Sequence, residues 1–175
     1  MDSRYLHRLA RGHRIEVNGE ATYAAAGRWT ADPERRAKWR TLERLETQTK
    51  ERLADALARA GMPVRERALD VRLGAMIGAL LTLLPRRLML RGLALVTGHT
   101  VGFWQRLERL GSPADAAFLA SLTAHEAAQC EFARRELAGD ERSLDSVLAL
   151  LGSSGSGVAA KPGNDVSRRA HWPEC

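Results

Sequence analysis

Two helix-start signals of the same kind, Asp32-Pro33 and Ser112-Pro113, lie eighty positions apart and divide a 175-residue chain into paired helical segments. An Asp or Ser ahead of proline offers a side-chain acceptor to the unpaired N–H groups of a first helical turn. Proline's fixed φ and missing donor cost nothing there. The stops are equally regular: Gly61 with Pro63 beyond it, Pro85, Gly111 and Gly139 each follow a stretch with apolar residues recurring at three and four. The expected helices are Ser3 to Trp29, Pro33 to about Ala60, roughly Arg65 to Leu84, Arg86 to Leu110, Pro113 to about Ala138, and a short one from Glu141 to Leu151. Few strand signals compete, and aromatics are only 5% of the chain, which disfavours an all-β domain. The fold class is therefore all-α: four long helices, a helical crossover between the second and fourth, and a short C-terminal helix. Residues 1–151 form one helical domain, and Gly152-Ser-Ser-Gly-Ser-Gly157 opens a polar tail, 152–175, expected to be flexible.

The eighty-residue shift superimposes more than punctuation. Pro33 falls on Pro113, Ala37 on Ala117, Leu42 on Leu122, Glu46 on Glu126 and Thr49 on Gln129. Two helical hairpins joined by a long crossover, one topology of a four-helix bundle, explain such a repeat.

Composition narrows the function classes. The chain is 45% hydrophobic and 27% charged, enough apolar material for a core. Its formal charge of +6 makes anionic partners worth testing, and Arg4, Arg8, Arg11 and Arg14, with Arg35, Arg36, Lys38 and Arg40, are the basic groups that would carry them. Acidic residues intervene and no nucleic-acid motif is present, so a solvated face is the expectation and a nucleic-acid partner is not. Met1 to Arg14 is interrupted by charge every few residues, unlike a secretory signal. The apolar runs Leu73 to Leu84 and Gly92 to Trp104 are too short for a membrane span. A cytoplasmic protein is expected, with a helical hairpin lying in a bilayer interface as the other option. Gly98-x-x-x-Gly102, near Gly92, reads as tight internal packing, and Met76, Met89 and the Leu residues around them read as core. Two cysteines, Cys130 and Cys175, exclude a disulfide framework and a Cys-based zinc site. Phosphate-loop, nucleophile-elbow and His-Glu-x-x-His motifs are absent; His125-Glu126 is only a dipeptide, with Gln129 where a second histidine would stand.

The polar residues inside the apolar stripes carry the chemistry. Leu42, Glu46, Thr49 and Leu53 share a face of the second helix, as Leu122, Glu126, Gln129 and Ala133 do on the fifth. On the first helix Leu6, Leu9, His13, Glu16, Glu20 and Tyr23 form one stripe, and on the fourth Val96, His99, Phe103 and Leu107 form another. Each long helix thus presents a carboxylate or imidazole at mid-length. Buried without partners, such groups cost several kcal/mol each, so they are expected to meet one another or a cation. His13, within a run of arginines, reads as a surface residue, Glu46 is the weakest of the set, and His125 reads equally as core, boundary or ligand.

Over roughly residues 5 to 138 this pattern resembles the ferritin-like superfamily, whose di-iron members place a Glu on two helices and Glu-x-x-His on the other two. The resemblance implies that Glu20, or Glu16 one turn earlier, is the first-helix carboxylate. Glu46-Thr-Gln-Thr49 and Glu126-Ala-Ala-Gln129 occupy the places of the two Glu-x-x-His motifs, and His99 falls near the remaining Glu. The segment Arg14 to Glu20 with Tyr23 is also similar to the opening helix of demethoxyubiquinone hydroxylases, ferritin-like enzymes that associate peripherally with membranes.

The departures matter as much. Thr49 and Gln129 stand where the histidines should be, and neither replaces an imidazole as an iron ligand. The implied metal set is Glu20, Glu46, His99 and Glu126, with Glu16 and Gln129 as lesser candidates, enough for one Fe, Mn or Zn ion but thin for an oxygen-activating pair. Two functions follow: a metal-binding protein or Fe- or Mn-dependent oxidoreductase, and a metal-free helical protein acting through self-association as a homo-oligomer, a protein partner or a membrane surface.

Overall fold

The computed structural model describes residues 3–154, and among them every regular element is a helix, with no strand. The helices are α1 (Ser3–Trp29), α2 (Pro33–Arg59), α3 (Ala68–Leu81), α4 (Arg86–Glu108), α5 (Ala116–Ala138) and α6 (Asp145–Ser154). Asp32 caps α2, accepting from the Glu34 and Arg35 amides at 2.9 and 3.3 Å. Ser112 does not cap in the same way. Its hydroxyl donates to Asp115 Oδ2 at 2.8 Å, and Pro113–Asp115 form one 3-10 turn ahead of α5. Gly61 and Gly139 end their helices at φ of 77° and 75°, a left-handed conformation that side chains resist. Helix α6 starts later than expected because the Asp140 carboxylate accepts from the Arg142 amide and holds a turn there. It also continues through Gly152; the rest of the expected tail lies outside the described residues.

Two apolar clusters, both built from α1, α2, α4 and α5, occupy the two ends of one core. The first gathers Tyr23, Trp39, Leu42, Leu90, Phe132 and neighbours, with Val147 and Leu151 of α6. The second gathers Tyr5, Leu9, Leu53, Leu57, Trp104, Leu107, Leu119 and Leu122. Along each helix, the order in which it visits the clusters gives its direction. Helices α1 and α5 run one way; α2 and α4 run the other. Two successive core helices pointing the same way need a connection spanning the core's length, and α3 supplies it. On α1, α2 and α5 the stretch between or beside the clusters contains buried polar residues, which therefore meet at mid-height.

Helix α3 lies along α1 and buries only Asp70, Gly74 and Gly78. A Cβ on either glycine would overlap an α1 carbonyl oxygen, that of Asn18 or Thr22, so bare backbone is what lets the helices touch. Asp70 accepts two 2.8 Å bonds from the Arg14 guanidinium, and Asn18 Nδ2 donates to the Asp70 carbonyl at 3.1 Å. The opposite face is uncovered: Leu69, Leu73, Met76 and Leu80 are exposed, as is Leu83 just beyond the helix, contrary to the expectation that this apolar segment is core. At the other end of the core, buried Glu136 of α5 is clasped by Lys38 of α2 (2.8 Å), Arg86 of α4 (2.7 Å) and Ser143 ahead of α6 (2.6 Å).

The buried stripe of α4 also differs from the expected one. Leu90, Leu93, Thr97, Val101 and Trp104 face inward, and Val96 and His99 face out. The helix offers two apolar stripes, and the one that buries the Trp104 indole, the larger apolar surface, wins. Trp104 seats on Gly12 of α1, where a Cβ would overlap the ring. Gly92 approaches no neighbour, so that glycine is not a packing device. No described helix is long and apolar enough to cross a membrane.

Candidate functional site

Seven polar side chains fill the layer between the two apolar clusters. Helix α1 contributes Glu16 and Tyr23, α2 contributes Glu46 and Thr49, and α5 contributes His125, Glu126 and Gln129; all are buried. The spacings are those of single helix faces, seven residues on α1 and three on α2. Helix α5 is different. It is enclosed on nearly every side, which is why adjacent residues 125 and 126 are both inside.

A chain of hydrogen bonds crosses the layer. Tyr23 donates its phenol proton to Gln129 Oε1 in a short bond. Gln129 Nε2 donates to Glu46 Oε1 at 2.8 Å and lies 2.7 Å from His125 Nε2. His125 Nδ1 is 2.9 Å from Thr49 Oγ1. Two nitrogens at 2.7 Å share one proton, so when the ring is neutral His125 Nε2 is the acceptor. The ring proton then sits on Nδ1 and is donated to Thr49.

Around that acceptor nitrogen stand carboxylates. Glu16 Oε2 is 3.1 Å and Glu46 Oε2 3.6 Å from His125 Nε2. Glu16 is wholly buried, yet neither of its oxygens has a hydrogen-bond partner. Glu16, His125 and Glu126 each offer one ligand atom, and the three atoms lie within 4.8 Å of one another. Ligands at about 2.1 Å from an ion are at most about 4.2 Å apart, so sub-ångström closure would seat one. One imidazole with two or three carboxylates suits Fe, Mn or Zn.

The electrostatics reflect crowded charge in a dry space. Burial pushes the Glu16 carboxyl up to about 8, with Glu46 adding to the rise and His125 opposing it. Burial and then Glu16 raise Glu126 well above the carboxylate range; His125 and Trp104 work against them. The Trp104 indole N–H is near enough to act on Glu126 but outside hydrogen-bond geometry, and it has no partner. For His125 burial lowers the pKa, and Glu16 and Glu46 more than reverse that. Burial, then Glu46, Glu126 and Glu16, hold the Tyr23 phenol well above its ordinary value, so it stays a donor.

Not all expected ligands reach this cluster. Glu46, Glu126, Glu16 and Gln129 do. Glu20 points elsewhere: it accepts from Thr47 Oγ1 at 2.6 Å and pairs with Lys50 at 2.5 Å, and Lys50 also binds Glu66 at 2.6 Å. His99 is on the exposed face of α4. His13, expected at the surface, is buried because α1 is covered on more than one side, and burial lowers its pKa. His125 becomes the imidazole of the site; its sequence signal was the four-residue spacing to Gln129, which puts both on one face.

A hollow of about 350 Å³ between α2, α5 and α6 reaches the cluster from outside, lined by Leu45, Gln48, Thr49, Arg52, His125 and Leu150 among others. Arg52 spans its rim, donating to Ser121 Oγ at 2.6 Å. Comparison with protein-family models, with curated proteins and with solved structures finds no match for the chain.

Proposed function

We propose that the chain is a ferritin-like four-helix metal-binding protein holding one divalent ion, Fe or Mn, through Glu16, His125 and Glu126, with Glu46 beside them. The observation that carries this reading is the Glu16 carboxyl, fully enclosed, with neither oxygen in a complete hydrogen bond and with His125 Nε2 3.1 Å from Oε2. Burial keeps this carboxyl protonated up to about pH 8, and a cation among three carboxyls would take the place of the proton. The Thr49 contact supports it further: with Nδ1–H donated to Thr49, loss of the other ring proton on metal binding would free Nε2, which faces Glu16 and Glu46. The like direction of α2 and α4, joined by α3, agrees with a ferritin-like topology. One imidazole favours one ion over a bridged pair.

The finer reading is an Fe- or Mn-dependent oxidoreductase, and the hollow that reaches Thr49 and His125 is the approach it requires for a small oxidant. The test is metal content of the full chain purified without chelators, beside Glu16→Gln and Glu126→Gln variants. About one Fe or Mn per chain, lost in both variants with helicity intact, is the expected result. No metal in the wild type after anaerobic reconstitution with Fe²⁺ and Mn²⁺ sinks the reading.

One observation favours a second function, contact through the surface. Leu69, Leu73, Met76 and Leu80 line the uncovered face of α3, Leu83 is exposed just beyond it, and Leu88, Leu95 and Val96 are exposed on α4. A row of exposed apolar side chains of this kind suits contact with a second copy or a bilayer. Sedimentation with and without anionic vesicles, comparing wild type with Leu73→Glu/Met76→Glu, tests it. A monomer that ignores vesicles removes it.

A further inference from the structure

The thirty-seven residues between Asp70 and Glu108 contain five arginines and no carboxylate, so five of the chain's six net positive charges lie there. The same stretch holds nine of the thirteen large hydrophobic residues exposed among those described, all between Val71 and Val96. Exposed apolar surface and unbalanced positive charge thus coincide on α3, the turn after it and the first half of α4. We propose that this segment seats the protein on an anionic lipid bilayer, without spanning it. Such a seat rests on the surface-contact reading above and commits it to one occupant.

Charge decides between the occupants. Arg72, Arg87 and Arg91 are exposed and form no salt bridge among the described residues. Arg86 is engaged by Glu136 at 2.7 Å. The two acids at the start of α3 do not offset the arginines. Asp70 is gripped by Arg14 at 2.8 Å and has Arg67 near it, and Glu66 is paired with Lys50 at 2.6 Å. A second copy docked on this face brings its own arginines against these, whereas anionic headgroups meet them with opposite charge.

Shape points the same way. Helix α3 lays Gly74 and Gly78 directly on α1 and stands out from the bundle as a rib. Leu69, Leu73, Met76 and Leu80, spaced four and three, form one line along its outer face. A bilayer surface receives such a rib without a complementary groove. Arg72 stands beside this line, and its stem can lie along the apolar boundary while the guanidinium stays among headgroups. The register against α1 is constant: Gly74 meets Asn18 and Ala21, and Gly78 meets Thr22 and Ala25. One turn further on, it sets Trp29, 64% exposed, level with Thr82, where the exposed leucines of the α3–α4 turn begin. A tryptophan at the end of an apolar row suits the headgroup level. No described helix is long and apolar enough to cross, so the contact is one of lying on the surface.

Co-sedimentation of the full chain with vesicles tests the seat, using phosphatidylcholine alone and an equal mixture of phosphatidylcholine and phosphatidylglycerol. Affinity for the mixed vesicles is expected to exceed that for phosphatidylcholine by about tenfold or more and to fall with salt. Arg87→Ala/Arg91→Ala and Leu80→Ala/Leu83→Ala are each expected to lose about tenfold or more on the mixed vesicles. Arg40→Ala/Arg44→Ala, which removes the same formal charge from α2, is expected to lose less than about threefold. Circular dichroism, with one charged and one apolar pair, keeps a folding defect from passing as lost binding. Equal affinity for the two vesicle types, or equal losses in the two arginine pairs, overturns the seat. Sedimentation velocity without vesicles separates the remaining failures. A monomer that ignores both vesicles overturns the seat together with the surface-contact reading. A dimer that ignores both vesicles and dissociates on Leu73→Glu/Met76→Glu overturns the bilayer alone and gives the face to a second copy.

Discussion

Thr49 Oγ1 and His125 Nδ1 lie 2.9 Å apart across the α2–α5 interface, so the threonine holds the imidazole of the polar layer from behind. Valine has the same shape without the hydroxyl. Thr49→Val therefore leaves Nδ1–H buried and unpaired, at a cost of about 1–3 kcal/mol. The ring loses its fixed tautomer, and metal affinity, if the site is loaded, falls roughly 10- to 100-fold. Urea denaturation of the metal-free protein and competition with a chelating dye measure the two effects separately. Unchanged values of both would show that Thr49 is a bystander.

Gly19 faces the Glu46 carboxylate so closely that a Cβ would sit 2.8 Å from its carboxyl carbon. Glu46 cannot swing away freely, because Gln129 holds its Oε1 at 2.8 Å. Gly19→Ala gains about 1 kcal/mol of helix propensity and loses about 1–3 kcal/mol to overpacking. The expected net effect is destabilisation. Gly92→Ala is the matched control: nothing lies within 4 Å of its Cβ, so only the propensity gain remains, about 0.5–1 kcal/mol. Chemical denaturation of the two variants should move in opposite directions.

How much of this was readable in the chain follows from which interactions are local. Helix α1 was expected from Ser3 to Trp29 and spans that range, and the Asp32 cap does what an Asp-Pro pair implies, because both depend on near neighbours. Choosing between Glu16 and Glu20 was not a local matter. They are four apart on one stripe, and it is Thr47 and Lys50 of α2 that draw Glu20 out of the cluster. His99 and Trp104 sit on competing stripes of α4, and Gly12, distant in sequence, provides the seat for Trp104. The exposed leucines of α3 had no signal at all in hydropathy. The face that packs is marked by Gly74 and Gly78, which contribute no side chain to any apolar pattern.

Those glycines make α3 separable from the rest. Gly78→Val drives a branched side chain into the Thr22 carbonyl, and Asp70→Asn removes the charge that the Arg14 fork grips. Because α3 contributes little else to the core, the expected result is local undocking rather than global unfolding. Hydrogen exchange should accelerate about tenfold or more over residues 68–81 in either variant, with α2 and α5 protected as in the wild type. Acceleration spread evenly over all helices would mean that α3 is part of the cooperative core.

The carboxylate layer sets an unusual pH dependence for the metal-free protein. Glu16 titrates near 8 when folded, against 4.5 as an ordinary carboxyl. Between those values the folded chain keeps a proton that the unfolded chain has released, so stability is fully present below the lower value and is lost as pH rises to the upper. Each pH unit removes up to about 1.4 kcal/mol for this one proton. Glu126 and His125, also raised, act with the same sign. Asp70, held low by Arg14, acts oppositely, as does Glu136, which its Lys38, Ser143 and Arg86 partners hold low against burial; their contribution is lost below about pH 4. With chelator present, urea midpoints should therefore fall from pH 5 to pH 8, and Glu16→Gln should flatten that fall and exceed the wild type at pH 8. Adding Mn²⁺ at pH 8 should restore the wild type but not the variant, because the ion takes the place of the proton. A wild-type midpoint that holds constant or rises over the same interval would mean that the buried carboxylates are already ionised and compensated within the fold.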